Sequence, residues 1–372
     1  MTDGREVFYF TTRSSPFVAA SDRRRLGPVQ PVCELRHDPL LGTWVMYGAH
    51  RQDRSYLPTP DACPFCPSAH GREGEVPAPE YEVVVFENRF PSLADTGDPE
   101  LPEDEPRLMR NSPGRGRCEV ICYTSDHNAT FADLGPERVA LVIDALVDRS
   151  VELGRKLGVE QVFCFENSGK QIGVTQTHPH GQIYAYPFVT RRTRAMLASA
   201  RAYRQRTGGN LFDDLVSAES NDGSRVVIST DNWVAFVPHA ARWPYEAHLY
   251  PRQRRPDLAA LSPAQRAELP EVLLDLYGRF ARLFGKPSPY IAGWHQAPVR
   301  QGRPGFACHL ELFTFSRTAD KLKYLAGSEA GMDAFANDVL PEAAAAALRA
   351  AGGGGGLVSS ALTARAAPPG RG

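Results

Sequence analysis

The strongest constraint on the fold is an internal repeat in the order of the predicted elements. Two long segments, LGPERVALVIDALVDRSVELGRKLG and LSPAQRAELPEVLLDLYGRFARLFG, place apolar residues at helical spacing, and each opens with Leu-x-Pro. Two short runs rich in Val, Ile and aromatic residues precede each helix, and an aromatic strand and a histidine-bearing strand follow it. This repeated order predicts two related structural units.

The repeat also predicts the fold class. The histidine strand reads THPHGQIYAY in the first copy and ACHLELFTF in the second, so His178 and His180 correspond to His309 and Glu311. Strands and helices of this length and order favour an α+β fold, in which two units of antiparallel sheet carry helices on one face. We expect a mobile N-terminal segment at residues 1–30, a first unit at 31–190, a connecting helical segment at 191–220, a second unit at 221–350 and a disordered tail at 351–372.

Composition excludes several classes of function. Of the 372 residues 42% are apolar, enough for real cores, and a formal net charge of -1 leaves no basic footprint for a nucleic-acid backbone. No run approaches the length of a membrane span and the first residues lack a secretory apolar core. We therefore expect a cytoplasmic protein without nucleic-acid or membrane partners, whose 7 cysteines are free thiols or metal ligands.

The densest chemical signal is the segment HPHGQ at residues 178–182. Its polar residues alternate, so a strand would present them on one face, about 6 to 7 Å apart. A single histidine on a strand is more often structural, but two histidines around a proline are hard to explain by packing. A neutral imidazole can attack phosphorus without first losing a proton, and the amide of Gln182 can donate to a phosphoryl oxygen without promoting hydrolysis. The segment favours group transfer through His180.

The segment CPFC places Cys63 and Cys66 at the spacing that lets both thiolates bind one tetrahedral zinc ion. Two further ligands must come from elsewhere, and His127 and His178 are the candidates. Zinc on His178 would brace the strand that presents His180. Two alternatives stay open from spacing alone, which are a redox-active pair outside its usual βαβ context and two unrelated thiols.

These segments together resemble the galactose-1-phosphate uridylyltransferase family of the histidine triad superfamily. The similarity extends from about Glu34 to Leu348, and its segments are, in order, ELRHDPLLGTWVMYGAHRQDR, CPFC, VVVFENRFPSL, GRCEVICYTSDHNATFADL, VFCFENSGKQIGVTQTHPHGQIYAYPF, WPYEAHLYP, GWHQAP and LKYLAGSE. Their joint occurrence in this order is highly specific.

The resemblance implies ping-pong transfer of UMP from UDP-glucose to galactose 1-phosphate, giving UDP-galactose and glucose 1-phosphate. It implies that His180 forms a uridylyl-histidine and that Gln182 contacts its phosphoryl group. It implies a structural zinc ion on Cys63, Cys66, His127 and His178. It also implies a homodimer and substrate contacts, the last three of them across its interface, from Arg51, Arg54, Asn88, Arg89, Asn167, Gln182, Lys323, Tyr324 and Glu329.

The sequence departs from the family at a second metal site. Some family members bind iron through one glutamate and three histidines. Here His295 and His309 match, whereas Glu311 replaces a histidine and Met196 stands at the glutamate position. We therefore expect no iron.

The sequence leaves alternatives open for the acceptor sugar and for the function. Ser328 stands where a tyrosine is common, and Phe335 or a neighbour replaces a glutamine that contacts sugar, so the hexose is open. One rival function is a related adenylyltransferase or phosphorylase that acts on ADP-sugars or ADP-sulfate. The other is a zinc-stabilised nucleotide-binding module that does not use His180.

Overall fold

The computed structural model describes residues 1–12, 20–28, 30–53, 58–68, 73–95 and 108–353. The strands in these ranges are β1 (Val7–Phe10), β2 (Glu34–Asp38), β3 (Thr43–Tyr47), β4 (Val83–Glu87), β5 (Asn111–Pro113), β6 (Arg117–Cys122), β7 (Gln161–Ser168), β8 (His180–Tyr186), β9 (Val226–Ser229), β10 (Trp233–Phe236), β11 (Tyr245–Pro251), β12 (Tyr290–His295), β13 (His309–Thr314), β14 (Ser316–Thr318) and β15 (Lys321–Leu322). The helices are α1 (Pro136–Arg155), α2 (Arg191–Thr207), α3 (Leu211–Asp222), α4 (Pro263–Arg282), α5 (Gly327–Met332) and α6 (Pro341–Ala350).

A 10-stranded sheet runs through both halves of the molecule in the order β1-β4-β6-β8-β7-β12-β13-β11-β10-β9. Every neighbouring pair in it is antiparallel. On either side of the β7–β12 pair the strands follow in mirrored order, which makes the internal duplication visible. The predicted α+β class is confirmed, and the two predicted units share one continuous sheet because β7 pairs with β12.

The two long predicted helices lie against the same face of this sheet. Both α1 and α4 begin at a proline, which needs no hydrogen-bond partner for its nitrogen at that position. Ser262 caps α4, since its side chain accepts from the backbone of Gln265 while the Gln265 side chain accepts from the backbone of Ser262. Together with α6 they bury one apolar core that extends under both halves.

The connecting helices α2 and α3 cover the opposite face of the second half. Val234, Phe236 and Tyr250 point to that face by strand alternation and pack with Phe212 of α3 and with Phe306. The corresponding face of the first half is covered by the loop that carries Cys63 and Cys66 and remains open beside it. The two halves therefore differ in what lies over their histidine strands.

Two small sheets complete the architecture. One has the order β3-β2-β5, and the other is the β14–β15 hairpin. Leu35 of β2 and Trp44 of β3 pack against Tyr184 of β8 in a separate apolar cluster. This contact fixes the small sheet, and the Arg51 segment that follows it, beside the end of the histidine strand.

The N-terminal segment corrects one prediction. We predicted that residues 1–30 are mobile, but Val7–Phe10 form β1 and pair with β4 at the edge of the main sheet. The reason is that this short run is apolar on both faces, since Phe8 and Phe10 pack on the helix-covered core while Val7 and Tyr9 pack on the cysteine side. The predicted disordered tail lies beyond the described residues from position 354 onward. Among the described helices none combines the length and apolar character that a membrane crossing requires.

Candidate active site and metal site

His180 is the first residue of β8, and alternation along this strand decides which side chains reach the pocket. Gly181, Ile183 and Ala185 are buried toward the helix side, whereas His180 and Gln182 are half-buried on the other face. The predicted one-face arrangement of the two polar residues is what the strand presents, although His178 itself lies just before β8.

The ring of His180 is oriented by the backbone. Its Nδ1 lies 2.7 Å from the carbonyl oxygen of His178, so Nδ1 carries the proton and donates. Nε2 is then the nitrogen with a free electron pair. Burial lowers the pKa of His180, against the raising effect of the His178 hydrogen bond, and keeps the ring neutral. Phe65 packs edge-on at 5.0 Å between ring centroids and limits ring rotation.

A cavity of about 370 Å³ opens over His180 and is the size of a small-molecule site. Four of the predicted site residues meet here, namely Asn88, Arg89, His180 and Gln182. The remaining wall residues are Pro64, Phe65, Glu75, Phe86, Phe90, Val120, Thr175 and Gln176. The mix of an imidazole, amides and a guanidinium over an apolar floor suits a phosphorylated ligand with a planar base.

Two other predicted contact residues lie beside this cavity. Arg51 donates from Nη1 to the carbonyl oxygen of Phe90 at 2.9 Å, next to the cavity wall. On β7, Phe165 pairs with Gln182, so Asn167, two residues along, lies on the same face as His180. Arg54 lies outside the described residues.

The three predicted contacts near the C-terminus are not part of the cavity wall of this single chain. Lys323 is buried, forms an ion pair with Glu329 at 3.1 Å between Nζ and Oε1, and also donates to the carbonyl oxygen of Ala336. Tyr324 is 71% exposed. The structure brings Lys323 and Glu329 together, and neither lines the cavity over His180.

The four predicted metal ligands meet in one cluster, with one ligand atom of each within 4.8 Å of all the others. The Sγ atom of Cys66 lies 3.5 Å from Nδ1 of His127 and 3.6 Å from Nδ1 of His178, and Sγ of Cys63 lies 3.9 Å from Nδ1 of His178. Ligands of a tetrahedral zinc ion stand about 3.3 to 3.8 Å apart. The donor set and its spacing fit a metal of this kind.

The outer contacts of His178 fit the same assignment. Its Nε2 lies 2.8 Å from the carbonyl oxygen of Thr124 and 2.8 Å from the hydroxyl of Tyr81, which itself donates to the carbonyl oxygen of Phe65. Because Nε2 donates, Nδ1 keeps its electron pair toward the sulfur atoms, as a metal-ligating histidine requires. Burial lowers the pKa of His178 to about 4, which also favours the neutral ring.

A second polar cluster occupies the corresponding place in the C-terminal half. His295, His309 and Glu311 converge there, and Arg192 of α2 donates to Glu311 Oε2 at 2.5 Å. Burial opposes ionisation of Glu311, but the neighbouring His295 and His248 hold the pKa of its carboxyl well below the usual range.

Apolar groups close this second cluster from the outside. Phe212 and Phe306 lie within 6.2 Å of the His309 ring. Met196, at the position of the family's glutamate, packs with the apolar cluster of α2 and α3. The second half therefore has a filled, polar-cored counterpart of the first pocket.

Several site residues were not predicted from the sequence. Glu75 carries no recognisable pattern, and only its ion pairs in the folded chain place it in the cavity wall. Gly181 belongs to the HPHGQ segment, but the sequence did not indicate why a glycine is needed there. A Cβ added there would collide with the hydroxyl of Tyr123 on the buried side of β8. Glu166 on β7 points to the buried side of the sheet.

Comparison with known proteins identifies the family of the chain. The family model described as galactose-1-phosphate uridyl transferase, N-terminal domain, matches residues 29–190, and that of the C-terminal domain matches residues 197–355. A galactose-1-phosphate uridylyltransferase from Streptomyces lividans is 50% identical over 320 residues, covering 83% of this chain and 84% of that protein. One from Thermotoga maritima is 35% identical over 313 residues, covering 84% and 96% respectively.

Solved structures give the same answer for the fold. A uridylyltransferase structure superposes with a TM-score of 0.75 at 32% identity and covers 86% of this chain and 98% of its own. An ADP-glucose phosphorylase from Arabidopsis thaliana, at 21% identity and a TM-score of 0.63, shares the fold. By sequence and by structure, the chain belongs to the galactose-1-phosphate uridylyltransferase family of nucleotidyltransferases.

Proposed function

We propose that this enzyme transfers UMP from UDP-glucose to galactose 1-phosphate through a covalent intermediate on His180. The observation that carries the proposal is the orientation of His180, whose Nδ1–H is held by the His178 carbonyl in the wall of a cavity shared with Gln182, Asn88 and Arg89. That orientation leaves Nε2 with a free electron pair on a neutral ring.

In the first half-reaction Nε2 attacks the α-phosphorus of UDP-glucose. The bond from that phosphorus to the bridging oxygen breaks, and glucose 1-phosphate leaves with the electron pair. The phosphorylated ring is then a cation, and the hydrogen bond from Nδ1 to the His178 carbonyl stabilises it. In the second half-reaction a phosphate oxygen of galactose 1-phosphate attacks the same phosphorus and releases His180, so the kinetics are ping-pong.

The other site residues bind and orient the substrate in this proposal. Gln182 donates to a non-bridging oxygen, and Arg89, Asn88, Arg51 and Asn167 hold phosphate or nucleoside groups. Arg54 would join them from outside the described residues. Lys323, Tyr324 and Glu329 would reach a pocket only across a homodimer interface, which agrees with their absence from the wall of this chain's own cavity.

We further propose that the metal of the Cys63, Cys66, His127 and His178 cluster is zinc. Two thiolates and two neutral imidazoles give the charge-neutral tetrahedral donor set of structural zinc sites. A zinc ion held by these four residues would cross-link the cysteine loop to the segment that leads into β8. We expect no iron in the second cluster, where Arg192 already pairs with Glu311.

We propose a cytoplasmic enzyme that consists of a unit at residues 31–190, a connecting segment at 191–220 and a second unit at 221–350. The mirrored strand order on either side of the β7–β12 pair supports this division.

Intact-protein mass spectrometry tests the function. Incubation with UDP-glucose alone should add the mass of one UMP, and galactose 1-phosphate should discharge it. His180→Gly should abolish the adduct while zinc content and the melting transition are retained, and His239→Gly, an exposed histidine, serves as the matched control. An adduct from an ADP-sugar but not from UDP-glucose would overturn the substrate, and no adduct from either would overturn the covalent mechanism.

A further inference from the structure

An acidic side chain lies in the wall of the transfer cavity. Glu75 lines it together with His180 and Gln182, and only 8% of its surface is exposed. A carboxylate in this position is costly to bury and repels phosphate groups unless other charges compensate it. The negative charge of Glu75 must therefore be compensated by nearby positive charges, and its position in the wall needs a functional explanation.

The compensation comes from the N-terminal segment. Arg5 contacts Glu75 Oε2, and Nη1 of Arg24 lies 3.0 Å from Oε1. Each of these arginines also pairs with an aspartate of its own, Arg5 with Asp3 at 2.6 Å and Arg24 with Asp22 at 2.9 Å. Both guanidinium groups are almost fully buried, so the carboxylate of Glu75 is fixed in place as well as neutralised.

Arg89 completes the charge balance on the cavity side. Its Nη1 lies 3.8 Å from Glu75 Oε1, beyond hydrogen-bond distance, and its side chain is 40% exposed. The three arginines match Asp3, Asp22 and Glu75 in number, so the group as a whole carries no net charge. Glu75 can thus face a phosphorylated ligand without excluding it.

The carboxylate keeps acceptor capacity toward the cavity. A carboxylate has about four acceptor positions, and Arg5 and Arg24 each pair with one of its two oxygens. Phosphate groups of a nucleotide sugar are acceptors themselves, so the ligand's donors are its sugar hydroxyls and the base N–H. Neighbouring hydroxyls of a sugar ring are well suited to a fixed carboxylate.

We propose that Glu75 is a binding residue of the transfer pocket that accepts hydrogen bonds from sugar hydroxyls of the substrate, and that Arg5 and Arg24, on either side of β1, hold it there. This inference rests on the proposed function. The hydroxyls belong either to the ribose or to the hexose, and the test separates the two.

The test compares Glu75→Gln with Asp22→Asn, which weakens the same ion-pair group away from the cavity. Each protein is assayed with UDP-glucose and its 2′-deoxyribose analogue, and with galactose 1-phosphate and its 2-deoxy analogue. Loss of a hydroxyl bound by Glu75 should lower kcat/KM about 10- to 100-fold in the wild type and in Asp22→Asn. In Glu75→Gln the same loss should change kcat/KM about 3-fold or less.

The outcomes are distinct. Coupling to the 2′-hydroxyl assigns Glu75 to the ribose, and coupling to the hexose hydroxyl assigns it to the acceptor. Equal discrimination in all three proteins would overturn the proposal and leave Glu75 as a tether of the N-terminal segment. Should Glu75→Gln fail to fold, Glu75→Asp, which keeps the charge but withdraws it, answers the same comparison. The uridylyl adduct on the wild type is measured in parallel, since its absence would overturn the function rather than the role of Glu75.

Discussion

The hydroxyl of Tyr290 donates a 2.6 Å hydrogen bond to Oε1 of Glu166, and this bond links β12 of the second half to β7 of the first. Within the described chain Oε2 of Glu166 has no hydrogen-bond partner and faces a small cavity of about 30 Å³ lined also by Tyr123 and Tyr277. Burial raises the pKa of Glu166 to about 8, although Tyr290 and Tyr277 act to lower it. At neutral pH the carboxyl is protonated.

Replacing Glu166 with Gln should therefore flatten part of the pH dependence of stability. Because the folded pKa lies above the ordinary value of 4.5, folding takes up a proton between the two values. The stabilisation is complete below about pH 4.5 and is lost as the pH rises toward 8. Relative to the wild type, the free energy of unfolding of Glu166→Gln should rise by a few kcal/mol, to order of magnitude, between pH 5 and pH 8.

Urea unfolding at several pH values measures this difference. Glu271→Gln, an exposed glutamate on α4, is the control and should follow the wild type throughout. A free energy of unfolding for Glu166→Gln that runs parallel to the wild type at all pH values would contradict a protonated Glu166.

Removal of one cysteine ligand should cost both metal and stability. Cys66→Ser takes one thiolate from the cluster, so we expect zinc to fall from about one ion per chain to near none, with a lowered melting temperature. Cys118→Ser alters a cysteine that is equally buried but lies outside the cluster, and its zinc content should be unchanged. Elemental analysis together with thermal melts distinguishes the two variants, and equal zinc in both would argue against the site.

Gly181→Ala tests the close approach beneath the nucleophile. The added Cβ would overlap the hydroxyl of Tyr123, so the strand or the tyrosine must shift, at a cost of about 1 to 3 kcal/mol and a loss of transfer rate. Tyr123→Phe removes the obstructing oxygen, so the double variant should recover part of the lost stability and part of the lost transfer rate. Gly154→Ala in α1 meets only ordinary contacts and should be neutral or stabilising. A double variant no better than Gly181→Ala would rule out this account.

Arg192→Ala should weaken the attachment of α2 to the second half. It leaves Glu311 buried without its guanidinium partner, and we expect a loss of about 1 kcal/mol because Arg192 is partly exposed. The loss should shrink when Glu311 is already Gln, since the charge is then absent. Arg201→Ala, on the exposed side of the same helix, is the control. Additive losses from Arg192→Ala and Glu311→Gln in chemical denaturation would exclude the coupling.

Local patterns in the sequence were sufficient for the chemical core of the site. Alternation in HPHGQ and the two-residue gap of CPFC each fix geometry over a few residues, so His180, Gln182 and the two thiolates could be placed before the fold was known. The repeated order of strands and helices likewise gave the duplication. Spacing did not assign the other two ligands: His127 and His178 were candidates by residue type, and the family resemblance implied both.

Other features depend on contacts between distant segments. Glu75 reaches the cavity wall through Arg5 and Arg24, and no local pattern relates these three positions. The strand at Val7–Phe10 is an apolar run of only four residues, too short to indicate a strand within a polar segment. The closure of the second histidine cluster by α2 and α3 is a matter of tertiary packing, which periodicity within one element does not encode.

The pairing of β7 with β12 makes each half the completion of the other. Taken alone, the first half would end in an unpaired β7 and the second in an unpaired β12, both of them inner strands of the intact sheet. Unpaired edges of this kind pair with strands of other chains, so we expect either half alone to aggregate. The two repeats therefore depend on each other for a complete sheet. The first histidine strand lines the open cavity, and the second half supports it.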